Sequence, residues 1–226
     1  MLLRGKQASG LLTQQKMLRA AVKLFLEKRY EGTTTAEIAR AAGMPPSSFF
    51  RAFPSKEALL LELDKRMFSG QFALAEQHSA AQEPVLLYAV GTAIQLHIAE
   101  LTEPLRKLYV TAYTLPSTSA YLYRSTAKRL EGIFGDDLPD AEAKDFYEME
   151  IASTGMMRSF VAVPCDMYFT VERKIARFLE CALKLYNVPS ERRRGSARPF
   201  CSSTCTPWRR APSERPSSRR KRALKP

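Results

Sequence analysis

Between residues 11 and 188, apolar side chains recur at spacings of three and four and almost never alternate. Only a helix places such residues on one face, so the pattern commits this stretch to an all-α fold. Prolines cut it into pieces, at Pro45-Pro46, Pro54, Pro84, Pro104, Pro116, "GDDLPD" (135–140) and Pro164. A proline withholds a backbone donor and disfavours helix in the residue before it. The spacing predicts about nine helices, over 13–30, 33–42, 46–53, 56–78, 84–102, 104–114, 117–134, 140–163 and 168–187. Thr13 is expected to cap the first and Ser55 the fourth. A threonine caps the second, with Glu37 in its first turn and Gly43 ending it. There is no internal repeat.

The formal charge of +12 over 226 residues is unevenly spread. Residues 1–66 are net +6, 67–188 net −4 and 189–226 net +10. From Pro189 the text also loses Ile, Val, Met and Tyr and keeps one Leu. Such a segment cannot bury enough apolar surface to offset its ordering entropy, so 189–226 is expected to be a disordered basic tail. Arg/Pro/Ser/Cys-rich text directly after a patterned helix is also what a shifted reading frame yields. The native domain is therefore expected to end near Val188; resequencing the gene across that junction is the check.

Chemistry-bearing constellations are scarce. Cys201 and Cys205 stand at C-x₃-C spacing without a second Cys/His pair, so no zinc site is expected. Cys165 and Cys181 sit in apolar text and read as buried thiols. The two histidines, His78 and His97, lack the partners a metal or a catalytic triad needs. No nucleophile–base pair or Gly-rich phosphate loop appears. The expectation is a protein that is not an enzyme and takes no cofactor or metal. No apolar run is long enough to span a membrane and the start is not signal-like, so a cytoplasmic protein without a membrane partner is expected.

The stretch "RAAGMPPSSFFRAF" (40–53) closes one short helix and opens another across a tight Gly-containing turn, which matches a helix-turn-helix. Ile38, Ala39 and Ala42 line one face of the first. Phe49 and Phe53, four apart, place rings on the inner face of the second. Ser47, Ser48, Phe50 and Arg51 are left pointing outward or sideways. Pro46 takes the first helical position, where its missing N–H costs nothing, and Pro45 is held extended by the proline after it. Short hydroxyls at a helix N-terminus suit a phosphate or a base edge, and Arg51 can reach guanine or phosphate. On the residues alone, Ser47 and Ser48 are equally ordinary helix-start residues and Lys56 an ordinary solvated lysine.

Residues 13–67 resemble the DNA-binding head of the TetR family of bacterial repressors, through "MLRAAVKLFLEKRY", "TTTAEIARAAG" and "SSFFRAFPSKEALL". The resemblance implies a three-helix DNA-binding head at 1–67 and a larger helical ligand-binding and dimerisation body at 68–188. Position by position, it puts phosphate contact on Thr35 and Lys56. It puts the small-polar pair of the recognition helix on Ser47 and Ser48, beside Pro46. The base or phosphate reader falls on Arg51, and the phosphate-contacting tyrosine on Phe50. Four positions depart from the pattern. Phe50 lacks the hydroxyl, Ala52 replaces an aromatic or histidine, Arg29 replaces a helix-ending glycine, and Pro45 replaces a capping serine.

For the body, the resemblance implies a homodimer formed by the last two helices through "FVAV" (160–163), Ile175, Phe178, Leu179, Ala182, Leu183 and Tyr186. The same stripe could instead face the subunit's own core. An apolar cavity for a small apolar or amphipathic effector is implied between the middle helices. Its candidate liners are Phe68, Phe72, Tyr88, His97, Tyr109, Tyr113, Tyr121, Tyr123 and Met156. The expected function is a ligand-released repressor that binds a palindromic double-stranded DNA operator as a dimer. The alternatives are a nonspecific nucleic-acid binder driven by the basic tail, or an activator of the same family.

Overall fold

The computed structural model describes residues 2–78 and 83–195 and, within these, all side chains except those of 2–9, 72 and 75–78. Expectations for Phe72, the His78 side chain, Cys201, Cys205 and residues 196–226 lie outside the described residues.

The described residues form helices and turns without a strand, so the all-α expectation holds. In chain order the helices are α1 (Leu2–Lys28), α2 (Thr35–Ala41), α3 (Phe49–Ala52), α4 (Lys56–His78), α5 (Pro84–Glu100), α6 (Glu103–Ala112), α7 (Pro116–Phe134), α8 (Ala143–Ala162) and α9 (Val171–Leu185). Short 3₁₀ turns at Pro46–Ser48 and Gly135–Asp137 lead into α3 and follow α7. Prolines occupy the first turns of α5, α6 and α7, where no intrahelical donor is required.

The capping logic is visible in the contacts. Thr34 Oγ1 accepts from Glu37 N at 3.2 Å while Glu37 Oε2 accepts from Thr34 N at 2.9 Å, a reciprocal box that starts α2. Ser55 Oγ accepts from Ala58 N at 3.0 Å and starts α4. Most boundaries shift by a residue or more from expectation, and two of them have a visible cause. Helix α1 begins at Leu2, so Thr13 lies inside it and is no cap. No proline interrupts 2–12, and extending a helix already nucleated by a packed segment costs little per residue. Helix α8 begins at Ala143 because Glu142 N donates to Asp145 Oδ2 at 2.7 Å, a box that sets the start.

Two clusters of buried side chains organise the molecule. The first joins Met17, Leu18, Phe25, Ile38, Phe49, Phe53, Leu59, Leu60 and Leu63 with Leu108 of α6. The second fills the body, where the rings of Phe134 and Tyr186 stack at 4.3 Å and Tyr88 meets Phe134 edge-on at 5.2 Å. Helix α4 serves both. Its Leu59, Leu60 and Leu63 lie in the first cluster, and Met67 and Phe68 pack on the second. Where the ends of α5 and α8 meet α9, the fully buried Lys174 donates to Glu100 Oε1 at 2.5 Å and to the Val163 carbonyl. Arg106 adds a second cation to Glu100 at 3.6 Å.

Three expectations are corrected. Val161, Ile175, Phe178, Leu179, Ala182, Leu183 and Tyr186 are buried in the subunit's own core, because α9 is packed against α5 and α8 of the same chain. Cys181 is exposed on α9 and Cys165 only half-buried. Finally, the chain does not lose structure at 189. Residues 190–195 are helical, Arg192 bonds Glu83 and Asp137, and Arg193 Nη1 donates to the Val188 carbonyl at 2.7 Å. A guanidinium fork that bridges two carboxylates orders a segment that apolar burial would not.

The departure at Arg29 has a measurable cost. Arg29 adopts φ +67°, the left-handed conformation that glycine takes without strain. Gly32 does not take this conformation over, since its own φ is not positive; position 32 needs glycine for another reason, a Cβ there lying 2.5 Å from the Lys28 carbonyl oxygen. Arg29→Gly is expected to raise stability by about 0.5–1 kcal/mol, part of the relieved strain being offset by the freer unfolded chain. Urea denaturation checks this; an unchanged or lower midpoint would contradict it.

Candidate nucleic-acid interface and body cavity

The segment between α2 and α3 is shaped by its backbone. Gly43 takes φ +76°, and Met44 N donates back to the Ala39 carbonyl at 2.9 Å, which ends α2. Pro45 is extended at ψ 147° and its carbonyl accepts from Ser48 N at 2.9 Å, so Pro46 opens the next turn. Phe49 is fully buried and Phe53 nearly so, their rings 6.0 Å apart. These two rings hold the short helix against α1 and α2. Gln14 Nε2 of α1 adds a bond to the Ala52 carbonyl at 3.0 Å, a contact that nothing in the sequence pattern flagged.

With the rings turned in, Pro46, Ser47, Phe50 and Arg51 face solvent, Phe50 at 63% exposure. Thr35 is half-buried at the first residue of α2, and it is Thr34 that caps the helix. Ser48 departs from the expectation of an outward hydroxyl. It is buried, and its Oγ accepts from Arg51 Nη2 at 3.0 Å. The residue therefore aims the guanidinium instead of presenting its own hydroxyl. Lys56 has partners within the chain that the expectation did not include. Its ammonium donates to the carbonyls of Tyr30 at 2.8 Å and Thr33 at 2.9 Å and lies 4.2 Å from the Tyr30 ring centre. Burial lowers its pKa. Lys56 is a clip on the loop before α2, and an ammonium with three donors has at most one left for a phosphate.

In the body, α4, α5, α7, α8 and α9 enclose a cavity of about 60 Å³. That is room for a few waters and well below the several hundred Å³ of a drug-sized site. Of the nine expected liners, Phe68, Tyr88 and Tyr113 line it. Tyr109 is buried close by, where its hydroxyl accepts from Gln71. His97 points out, its Nδ1 2.9 Å from the Ala93 carbonyl. Tyr121 lies under the Lys65 ammonium at 5.3 Å, and Tyr123 pairs with Tyr147 at 6.3 Å. Met157 takes the place expected of Met156, because one residue along a helix turns a side chain by about 100°.

The larger surprise is polarity. Gln71, Thr92, Gln95, Glu150, Ser153 and Thr154 also line the space. An apolar cavity was expected; one wall is a band of hydroxyls, amides and a carboxylate. The trace was present in the sequence. Glu150, Ser153 and Thr154 stand at i, i+3, i+4 on the buried face of α8, between Phe146 and Met157. Glu150 Oε1 accepts from Thr154 Oγ1 at 2.8 Å and Oε2 from the Tyr186 hydroxyl at 3.4 Å. Burial pushes this carboxyl up to about 8. Gln95 donates to the Tyr113 hydroxyl.

One more carboxylate is buried. Asp64 on α4 is 1% exposed, and neither oxygen has a hydrogen-bond partner among the described residues. Burial pushes its pKa up to about 7. It sits at the seam between the two clusters, one residue from Leu63 and close enough to Tyr109 of α6 to raise that phenol electrostatically.

Comparison with known proteins places this geometry. Residues 17–63 match the family model of bacterial regulatory proteins, tetR family. The HTH-type transcriptional regulator TcmR of Streptomyces glaucescens is 36% identical over 73 residues, 32% of each chain. The uncharacterized HTH-type transcriptional regulator YvkB of Bacillus subtilis is 33% identical over 82 residues, 36% of this chain and 43% of YvkB. These matches thus span about a third to two-fifths of the relatives' lengths. Among solved structures, RolR in complex with resorcinol superposes with a TM-score of 0.65 at 16% identity, over 84% of this chain and 95% of RolR. Thermus thermophilus FadR, a TetR-family repressor in complex with lauroyl-CoA, gives 0.57 at 21% identity over 76% of this chain and 92% of FadR. At such identities the superpositions establish the fold of head and body together.

Proposed function

We propose that this chain, which belongs to the tetR family of bacterial regulatory proteins, binds a palindromic double-stranded DNA operator as a homodimer and releases it when a small molecule enters the body cavity. The observation that carries the first part is the short recognition helix. Two buried rings pin it down and leave Ser47, Phe50 and Arg51 exposed in a row. Arg51, aimed by Ser48, is the base or phosphate reader, and Thr35 and Ser47 offer hydroxyls to the backbone. Phe50 offers apolar contact to a thymine methyl in place of a phosphate hydrogen bond.

A dimer follows from the size of the reading unit. One recognition helix covers a half-site, and two heads about one DNA turn apart read a palindrome. Most of the stripe expected to pair is internal, Ala162 and Val163 at the end of α8 being its exposed members, so the outward face of α8 is the candidate surface. Tyr147 and Ile151 are exposed there, beside Gly155, where an added Cβ would touch nothing. Release is supported by α4. The helix contributes Leu59, Leu60 and Leu63 to the head and Phe68 and Gln71 to the cavity. A ligand that displaces the latter moves the former through a continuous helix, and operator affinity falls by linkage if the ligand prefers the moved state. Two solved neighbours, RolR and FadR, are described with small molecules bound, which supports a ligand in such a body.

A gel-shift titration with the purified protein and the DNA upstream of its own gene tests this. A sequence-specific shift at physiological salt is expected, weakened about tenfold or more in Arg51→Ala. A chain truncated after Gly195 should retain the shift. Loss of all specific binding on that truncation would instead favour binding through the basic tail, and no specific shift at all would refute the proposal.

A further inference from the structure

We propose that the effector is a small organic cation, its ammonium held by Glu150 and its carbon frame by the aromatic walls of the cavity. This rests on the reading that the body cavity takes an effector. Three observations on the site itself carry the inference.

The first is the charge inventory of the cavity. Glu150 is the one ionisable carboxyl among its lining residues, and no Lys, Arg or His lines it. The side chains that bond Glu150 are the hydroxyls of Thr154 and Tyr186, which are neutral. A buried carboxylate with neutral donors alone is poorly compensated, and an ion of opposite charge is its strongest partner. The second is the wall chemistry. Phe68, Tyr88, Tyr113 and Phe178 line the same space. Ring faces attract a cation and its alkyl frame alike, more so in a desolvated site. The third is size. About 60 Å³ is well below the roughly 150 Å³ that admits benzene, so only a compact alkylamine is a candidate, and it enters by pushing Phe68 and Gln71 of α4 outward, the movement that release requires.

The groups facing Glu150 settle how binding must vary with pH. From α5 the titratable group is Tyr88, from the end of α6 Tyr113, and after α9 Tyr186. Burial raises all three phenols, so they stay neutral across the working range. From α4 and α7 the facing residues are Phe68, Gln71, Leu122 and Thr126, which do not titrate. Glu150 is therefore the only local group that ionises between pH 6 and 9 among the described residues lining the cavity. Its carboxyl is mostly neutral at pH 7 and ionised at pH 9, whereas an alkylamine stays protonated throughout.

Isobutylamine and isobutanol, which share a frame and differ in charge, are the probes. Dissociation constants come from chemical-shift titrations of the full chain without DNA. Isobutylamine is expected to bind about tenfold tighter at pH 9 than at pH 7, with isobutanol weaker and unchanged by pH. Glu150→Gln, which keeps shape and hydrogen bonding, should abolish both the preference for the amine and its pH dependence. Equal binding of the two probes, an amine affinity untouched by Glu150→Gln, or binding of neither probe would overturn the proposal. Binding of isobutanol alone would overturn the cation and leave the effector cavity standing. Operator binding is read separately by gel shift, so its failure is distinguishable from both.

Discussion

Replacing Phe49 with alanine is expected to destabilise the DNA-binding head by about 3–5 kcal/mol, the range for removing a fully buried aromatic ring. Phe49 has no exposed surface, and its ring meets Phe53 at 6.0 Å and Phe50 at 5.4 Å. The recognition element spans only the Pro46–Ser48 turn and Phe49–Ala52. A helix that short has no stability of its own in water, so its conformation depends on this packing. Phe50→Ala is the control, since that ring is exposed; its effect on stability should stay within about 0.5 kcal/mol. Under the proposed function the two variants should both lose operator affinity, for opposite reasons. Phe49→Ala removes the helix and Phe50→Ala removes a contact. Urea denaturation together with the gel shift separates them, and a Phe49→Ala loss below about 1 kcal/mol would show that the helix is held by something else.

The second large effect is stabilising and depends on pH. Asp64 is buried without a hydrogen-bond partner among the described residues, and burial raises its pKa from 3.8 to about 7. The unfolded chain therefore releases this proton near pH 4 while the folded chain holds it to near pH 7. A group raised in this way leaves stability intact below its unfolded pKa and costs stability as pH rises through the folded one. Between pH 4 and 8 the loss is on the order of 4 kcal/mol. Asp64→Asn removes the titration. The variant should match the parent near pH 4 and exceed it by a few kcal/mol at pH 8, judged from urea midpoints of both proteins at each pH. A difference that is the same at both pH values would show that the carboxyl does not titrate in this range. The cost falls on α4 at the seam of head and body, the helix through which release is proposed to pass.

The body illustrates what periodicity can and cannot convey. The stripe of Ile175, Phe178, Leu179, Ala182 and Leu183, continued by Tyr186 just past the end, was legible as a buried face of α9. Periodicity says that a face is covered, and not by what; here α5 and α8 of the same chain cover it. The cavity liners show the same limit at finer grain. Aromatic residues were the natural candidates, and Phe68, Tyr88 and Tyr113 reach the space while His97, Tyr121 and Tyr123 face elsewhere. The polar band was missed because Glu150, Gln95 and Gln71 look like solvated residues until the helices around them are assembled.

Local rules carried the head much further. Proline and glycine positions, the reciprocal cap at Thr34 and Glu37, and the four-residue spacing of Phe49 and Phe53 act over a few residues. The sequence alone therefore determined the helical class, most helix boundaries and the helix-turn-helix. Tertiary structure decided where the polar groups point. It placed Lys56 on two carbonyls of the preceding loop, and Arg192 on Glu83 and Asp137. A long or forked side chain reaches partners tens of residues away. Which partner it finds depends on how the helices pack, and no spacing along the chain encodes that.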